Sequence, residues 1–146
     1  HLFKKARYRY QMSELTFHKT LDENELKSIQ NELVKEISMD WQGIRDIYGG
    51  STYLVAKVNS KVQGVVTIRD GDEFSEIYKL YVAPGARKLG IGRKLFYLAL
   101  DHATQMGNTE VGIQAVGGSE GFWNRILPRR GVEIIEDRAI IKLGHG

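Results

Sequence analysis

The chain has 146 residues, of which 42% are hydrophobic and 27% are charged, which is typical of one globular domain with a sizeable core. It holds no cysteine, which excludes disulfides, thiolate metal sites and a cysteine nucleophile and fits a reducing, cytoplasmic location. No apolar run approaches the roughly 18 residues of a membrane span, so a membrane partner is not expected.

The net charge of +3 is distributed unevenly along the chain. Residues 1–12 hold four basic residues and no acid, whereas the remainder holds 17 basic and 18 acidic residues. We therefore expect a basic N-terminal arm or leader at 1–12 and a single domain at 13–146. Such an arm can contact nucleic acid, although a disordered leader is the simpler interpretation.

Hydrophobic periodicity, capping residues and turn signals predict the secondary structure. In chain order we expect a strand at 13–20, a helix from Asp22 to about Ser38, a looser helical or loop segment at 39–50, strands at 51–58, 61–68 and 75–83, a helix from about Gly90 to Met106, a strand at 109–116, a short helix at 119–127 and strands at 132–136 and 138–143. The second helix has an apolar stripe of Ile91, Leu95, Leu98, Ala99, His102 and Met106. This order predicts an α/β fold with one mixed, mostly antiparallel sheet of six or seven strands and helices on both faces.

The junction ARKLGIGRKL at residues 86–95 is the most informative stretch of the chain. A strand ends before it, two glycines lie within it, and a helix begins at its second half. The first N–H groups of a helix lack intrahelical partners and carry a partial positive charge, so this junction predicts an anion site for a phosphate or pyrophosphate. Arg87, Lys88, Arg93 and Lys94 add positive charge around it.

Two nucleotide-binding loops do not fit this stretch. A Walker A loop requires Lys and Ser or Thr where Ile91 and Gly92 stand, and a dinucleotide fingerprint requires a third glycine where Leu95 stands. RKLGIG at 87–92 instead matches the [RQ]-x-x-G-x-[GA] signature, and together with the strand before it, the helix and the following strand it resembles the GNAT superfamily of N-acetyltransferases.

The resemblance covers nearly the whole chain from about residue 13 and implies the fold, the activity and the donor substrate. It implies transfer of an acetyl group from acetyl-coenzyme A to a primary amine, directly in a ternary complex, and a sheet that splays between the strands at 75–83 and 109–116. By position it implies that coenzyme A contacts Leu80, Tyr81, Val82, Arg87, Lys88, Leu89, Gly90, Ile91, Gly92, Arg93 and Lys94, with Asn124 as a further contact. Family members often dimerise, so a homodimer is a possible partner arrangement.

Acetyl transfer needs a base for the amine, and Glu76 is the predicted one. It lies six residues before Val82, as in the histone-acetyltransferase branch of the family, and strand alternation places Glu76, Tyr78, Leu80 and Val82 on one face. The alternative is a solvent-facing glutamate at the start of a strand.

The family's usual acid, a tyrosine on the helix after the fifth strand, is absent here. Tyr78 is the predicted acid, with Tyr81 and Tyr97 as alternatives, and protonation of the thiolate by solvent or by the product ammonium remains open. Trp123 stands near the position of the missing tyrosine.

The acceptor is expected beside residues 38–50 and 70–74, where Trp41, Asp46 and Asp72 are the predicted substrate-binding residues. Acidic and aromatic groups together suit a cationic amine, either a small molecule or a protein. Two other readings stay open: a coenzyme A-binding sensor with little catalysis, and an RNA-directed acetyltransferase that uses the basic arm.

Two decoys point to other chemistry. GGSEG at 117–121 matches a hydrolase nucleophile elbow, but too little chain follows it for that fold, and an N-cap role for Ser119 explains it better. The four histidines show no metal spacing, so no metal site is predicted. His102 is interpreted as a packed core residue.

Overall fold

The computed structural model describes residues 14–37, 43–44, 50–114, 120–128, 130–136 and 138–144. Within these ranges the elements are β1 (Leu15–Lys19), α1 (Glu23–Glu36), β2 (Ser51–Val58), β3 (Lys61–Arg69), β4 (Phe74–Val82), α2 (Ile91–Gln105), β5 (Glu110–Gln114), α3 (Glu120–Ile126), β6 (Val132–Ile135) and β7 (Arg138–Lys142). A 3-10 helix at Pro84–Leu89, which the sequence pattern did not predict, joins β4 to α2. The predicted strands and helices are confirmed, and most of the looser segment at 39–50 lies outside the described residues.

The strands form one sheet that forks between β4 and β5. Its order is β1-β2-β3-β4-β5-β7-β6, and β4 with β5 is the parallel pair. That pairing runs from Phe74 and Glu110 to Ile77 and Ile113, while β4 continues to Val82. Beyond Ile77 and Ile113 no pair joins the two strands within the described part of the chain, which confirms the predicted splay. We call this point the fork.

Helices pack on opposite faces of the sheet. Leu26, Ile29 and Leu33 of α1 form one core cluster, and Tyr53 and Val55 of β2 belong to it. The alternate β2 residues belong to a second cluster with α2, α3, β5 and β7. Because alternate residues of a strand point to opposite faces, these clusters define an α1 face and an α2 face.

A β-bulge interrupts alternation in β4. Thr67 of β3 pairs with Lys79, whereas the next β3 residue, Ile68, pairs with Ile77. Tyr78 is therefore the extra residue of the bulged strand, and the side chains that follow it change face relative to strict alternation.

The bulge makes one prediction wrong, namely that Glu76, Tyr78, Leu80 and Val82 share a face. Leu80 and Val82 pack against the α2-face cluster, which also contains Ile77. Glu76 precedes Ile77 in regular strand, so its side chain lies on the opposite, α1 face. The side chain of Glu76, the predicted base, thus lies on the face of the sheet opposite the side chains of Leu80 and Val82, which are predicted to contact coenzyme A.

Local signals in the sequence account for the element ends. The Asp22 carboxylate accepts hydrogen bonds from the amides of Asn24 at 2.8 Å and Glu25 at 3.3 Å, so it is the predicted N-cap of α1. Asn59 and Ser60 have φ of 51° and 70°, as a two-residue hairpin turn requires.

The buried face of α2 differs in part from the predicted stripe. Its buried side chains include Ile91, Leu95, Ala99 and His102 as expected, and also Phe96 and Ala103. Met106 is 52% exposed because the helix ends at Gln105. The stripe is therefore rotated toward Phe96, whose ring fills the space between the helix and the sheet.

Candidate functional site

A cavity of about 400 Å³ lies between the end of β4, the start of α2 and α3. Its lining residues are Leu80, Tyr81, Val82, Arg87, Gly92, Phe122, Trp123 and Arg125. The first five belong to the set predicted to contact coenzyme A, so the fold brings the strand and loop parts of that set together.

The register of β3 and β4 determines which backbone N–H and C=O groups at the end of β4 are left unpaired by β3. Ala83 donates to the carbonyl of Gln63 at 2.8 Å, so the adjacent pair of Val82 and Gly64 is of the non-hydrogen-bonded type. The backbone N–H and C=O groups of Val82, and those of Leu80, therefore point away from β3, to the side on which β4 has no described strand partner beyond Ile77. An edge strand in this state can pair with another extended, amide-bearing chain.

Gly90 and Gly92 at the start of α2 are glycines for different reasons. Gly90 has φ of 75°, in the left-handed region, and is the N-cap of α2 without a side-chain hydrogen bond. A Cβ on Gly92 would lie 3.0 Å from the ring of Phe122 and 3.7 Å from Val82. Gly92 therefore permits the close approach of β4, α2 and α3 around the cavity. The first turn of α2 holds no acidic residue that would repel an anion.

Arg87 connects the loop to α1. Its Nε donates to the Val82 carbonyl at 3.0 Å, and its Nη2 donates to the Glu36 carboxylate. The hydrogen bond from Arg87 lowers the pKa of Glu36. Arg87 therefore joins the end of β4 to the last turn of α1.

Tyr81 is held by the same acidic group. Its hydroxyl donates to Glu36 at 2.9 Å and to the Glu32 carbonyl at 3.2 Å. Burial, together with the Glu36 carboxylate, raises the pKa of Tyr81. The ring lines the cavity, but the hydroxyl is committed to α1.

The other predicted loop residues differ in accessibility. The side chains of Lys88, Leu89, Arg93 and Lys94 are exposed. Arg93 Nη2 donates to the Arg125 carbonyl at 3.2 Å, which links α2 to α3. Ile91 is fully buried, so only its backbone amide is available to a ligand.

Glu76 lies next to the fork between two arginines. Its Oε2 accepts a hydrogen bond from Arg138 Nη2 at 2.9 Å, and its Oε1 lies 3.6 Å from Arg69 Nη1. The Arg69 guanidinium stacks on the Tyr78 ring, with its central carbon 4.1 Å from the ring centroid. The predicted base and the predicted acid thus belong to one cluster, which we call the Glu76 cluster.

The model of the acetyltransferase (GNAT) family matches residues 15–124. The chain belongs to this family. Solved structures agree in fold: a GNAT-family acetyltransferase from Staphylococcus aureus Mu50 is 14% identical, with a TM-score of 0.68 over 90% of this chain and 100% of that one. No curated protein sequence gives a significant match.

Two further structures have the same fold. A GNAT-family acetyltransferase from Brucella melitensis, solved in complex with acetyl-CoA, is 15% identical, with a TM-score of 0.68 over 90% of this chain and 89% of that one. An aminoglycoside acetyltransferase from an uncultured soil metagenomic sample, solved in complex with sisomicin, is 23% identical, with a TM-score of 0.63 over 83% of this chain and 92% of that one.

In this GNAT-family protein, α3 presents aromatic carbon rather than a hydroxyl to the cavity. Trp123 packs edge-to-face on Phe96, with ring centroids 5.9 Å apart, and on Phe122, at 5.1 Å. Asn124 is exposed and is not among the residues that line the cavity. Tyr97 is 40% exposed on α2 and does not line the cavity either.

Most of the predicted acceptor residues lie outside the described residues. These are Trp41 and Asp46. The basic arm at 1–12, which is a separate prediction, also lies outside the described residues. Asp72 is exposed in the turn between β3 and β4, where its carbonyl accepts a hydrogen bond from Asn108 at 3.2 Å.

His102 is a packed core residue with a specific partner. Its Nε2 lies 2.7 Å from Asp70 Oδ1, while the Thr52 hydroxyl donates to Asp70 Oδ2 at 2.6 Å. This buried network attaches α2 to the ends of β2 and β3. Both oxygens of the Asp70 carboxylate, which lies in the segment 70–74 expected beside the acceptor, are engaged in this network.

Within the described ranges, no group of three or more His, Cys, Asp or Glu side chains could hold a metal ion. None of the helices in those same ranges is long and apolar enough to cross a membrane.

Sequence reasoning missed Arg138, Glu36 and Arg125 as parts of the site. Arg138 and Glu36 reach it through contacts with residues 62 and 51 positions away, which no local pattern encodes. Arg125 had a usable signal, since it follows the aromatic pair on the short helix that was expected near coenzyme A.

Proposed function

We propose that this protein transfers an acetyl group from acetyl-coenzyme A to a primary amine, directly within a ternary complex. The observation that carries the proposal is the cavity of about 400 Å³ between the open edge of β4 and the first turn of α2. An amide-bearing arm suits the strand edge, and a pyrophosphate suits the helix terminus. The acetyl-CoA in the Brucella melitensis relative supports the same donor.

The donor substrate is bound in two parts in this proposal. The amides at Gly90, Ile91 and Gly92 hold the pyrophosphate, with positive charge from Arg87, Lys88, Arg93 and Lys94 and further contacts from Leu89 and Asn124. The pantetheine arm pairs with Leu80, Tyr81 and Val82. The Val82 N–H then polarises the thioester carbonyl, as a donor aimed at developing negative charge does.

The chemistry follows from the groups at the fork. The amine nitrogen attacks the thioester carbon, a C–N bond forms, and the C–S bond breaks. Glu76 accepts the proton that the amine loses, directly or through one water, and positioned proton transfer of this kind contributes about 10²–10⁴-fold. Tyr78 gives a proton to the thiolate, which leaves as free coenzyme A; Tyr78 then regains a proton from solvent, and Glu76 releases one to it. Where Tyr78 does not act, solvent protonates the thiolate.

One observation favours a second candidate, a coenzyme A-binding sensor with little turnover. Tyr81 carries the one side-chain hydroxyl among the described residues that line the cavity, and α1 already engages it. A Glu76→Gln variant separates the two functions, because a sensor would keep both its binding and its low turnover.

Melting-temperature shifts with acetyl-coenzyme A, followed by free-thiol release with a panel of amines, test the proposal. We expect a higher melting temperature, because a ligand that binds only the native state stabilises it, and thiol release that depends on the amine. The absence of any shift at millimolar acetyl-coenzyme A would contradict the proposal.

A further inference from the structure

The Glu76 cluster has a charge pattern that bears on the acceptor. One carboxylate, that of Glu76, lies between two guanidinium groups, Arg138 at 2.9 Å and Arg69 at 3.6 Å. It lies on the α1 face beside the fork, on the side of the sheet opposite the packing of Leu80 and Val82.

Arg138 approaches Glu76 across β5. Arg138 pairs in register with Gln114, the last residue of β5, and Glu76 pairs with Gly112. Gly112 contributes no side chain between them, and a Cβ there would lie 2.6 Å from the Phe74 ring. The ion pair therefore links β4 to β7 across one strand, β5, next to the point where the sheet opens.

Arg138 retains donor capacity while it is bonded to Glu76. A guanidinium has five N–H donors in a planar fork that matches a carboxylate, and the contact with Glu76 uses one N–H group of Arg138. The Arg138 side chain is 51% exposed, against 20% for Glu76. A second carboxylate can therefore approach Arg138 from solvent without displacing Glu76.

We propose that the acceptor is an amine that also carries a carboxylate, as an α-amino acid does, and that Arg138 determines this specificity. The proposal rests on the acetyl transfer proposed above and names the substrate class for the same site. Arg138 binds the carboxylate of the acceptor, and Glu76 faces its amino group.

Charge complementarity supports this class over a polycation. The reactive form of an α-amino acid has a neutral amine and an ionised carboxylate, and the half-exposed guanidinium of Arg138 is complementary to that carboxylate. The same guanidinium would repel an aminoglycoside-like polycation. Arg138 thus favours an amine that carries a carboxylate over the purely cationic amine expected from Trp41, Asp46 and Asp72, which stays a prediction because Trp41 and Asp46 lie outside the described residues.

Matched acceptor pairs test the proposal in the full chain. L-phenylalanine is compared with 2-phenylethylamine, L-lysine with cadaverine, and L-leucine with isopentylamine, each pair differing by the α-carboxylate. We expect at least one amino acid to have a kcat/KM about tenfold or more above that of its decarboxylated partner. A preference for the carboxylate-free amine in every pair would overturn the proposal.

Substitution of Arg138 tests the residue itself. In Arg138→Gln we expect KM for the preferred amino acid to rise about tenfold, the usual order for one charge-assisted hydrogen bond at a half-exposed site, and KM for the decarboxylated amine to rise much less. Arg138→Lys should recover part of the loss, because it keeps the charge but not the planar fork. Arg130→Gln, which removes an exposed arginine before β6, is the matched control.

The outcomes separate this proposal from the proposed function. Equal losses for both members of a pair in Arg138→Gln, with an unchanged melting temperature, would overturn the role of Arg138 and leave acetyl transfer intact. Thiol release with none of the amines, despite binding of acetyl-coenzyme A, would overturn both.

Discussion

Arg138, the first residue of β7, donates a hydrogen bond of 2.9 Å to Glu76 on β4 across the fork of the sheet. The contact holds the Glu76 carboxylate beside the opening between β4 and β5, although Glu76 precedes Arg138 by 62 positions in the chain. It also joins the two halves of the sheet on the α1 face at the point where their backbone pairing ends. The same ion pair is therefore a structural tie and the chemical centre of the proposed acceptor side.

Closing the cavity from the helix side should prevent donor binding. Gly92→Val places a branched side chain in the cavity lining, where a single Cβ already lies 3.0 Å from the Phe122 ring, so the added carbons must displace that ring or fill part of the cavity. We expect the Kd for acetyl-coenzyme A, measured by isothermal titration calorimetry, to rise at least tenfold.

Gly85→Ala is the control for this substitution, since a Cβ on Gly85 would meet no atom within 4 Å. If Gly92→Val bound acetyl-coenzyme A as tightly as Gly85→Ala, the donor would not occupy this cavity.

Substitution of Tyr78 and of Tyr81, both on β4, should affect turnover differently. Tyr78→Phe removes the proposed acid and should lower kcat about 10²-fold or more, the low end of the range for a positioned proton donor. Tyr81→Phe removes a hydroxyl that donates to Glu36 at 2.9 Å, so it should lower the free energy of unfolding by about 1 kcal/mol and leave kcat nearly unchanged.

Steady-state kinetics and denaturant unfolding of both variants measure these effects. An unchanged kcat in Tyr78→Phe would assign the thiolate proton to solvent.

Acid stability should depend on Glu25 of α1. A hydrogen bond from Lys57, and another from the Thr20 hydroxyl at 2.5 Å, lower the pKa of Glu25 from 4.5 to about 2. The folded-state pKa is thus below that of the unfolded chain, so the ionised group stabilises the fold above pH 4.5, and this stabilisation is lost as the pH falls toward 2.

We expect Glu25→Gln to lower the free energy of unfolding by about 1–2 kcal/mol at pH 7, and the difference from the parent to vanish near pH 2. Urea unfolding across this pH range measures it, with the exposed Glu73→Gln as control. A difference that persists unchanged at pH 2 would rule out an ionic origin.

The fold was predictable because each element carries its own local signal. The Asp22 cap, the Asn59–Ser60 turn and the glycines at 90 and 92 all mark their positions through backbone requirements that single residues meet. The bulge at Tyr78 has no such signal. It arises from the register of β4 against β3. Because of it, Glu76 lies on the face opposite Leu80 and not on the same face, as strict alternation would require.

The candidate site was predictable on the donor side and much less so on the acceptor side. Leu80, Val82 and Gly92 lie within one strand-loop-helix segment, so their proximity follows from the chain order. Arg138 and Glu36 reach the site through long-range contacts that only the assembled sheet creates. A resemblance to the family could not supply them, because the contacts depend on side chains outside its signature.

Transfer of a labelled acetyl group from acetyl-coenzyme A to an amine tests the central claim most directly. The labelled product is followed by mass spectrometry for the parent chain, for Glu76→Gln, and for Glu110→Gln as a control that removes a surface ion pair with Lys142. We predict a labelled amide with the parent and the control. In Glu76→Gln we predict a loss of about 10²-fold in rate with an unchanged Kd for acetyl-coenzyme A. Binding of acetyl-coenzyme A without a labelled product from any amine would contradict the claim.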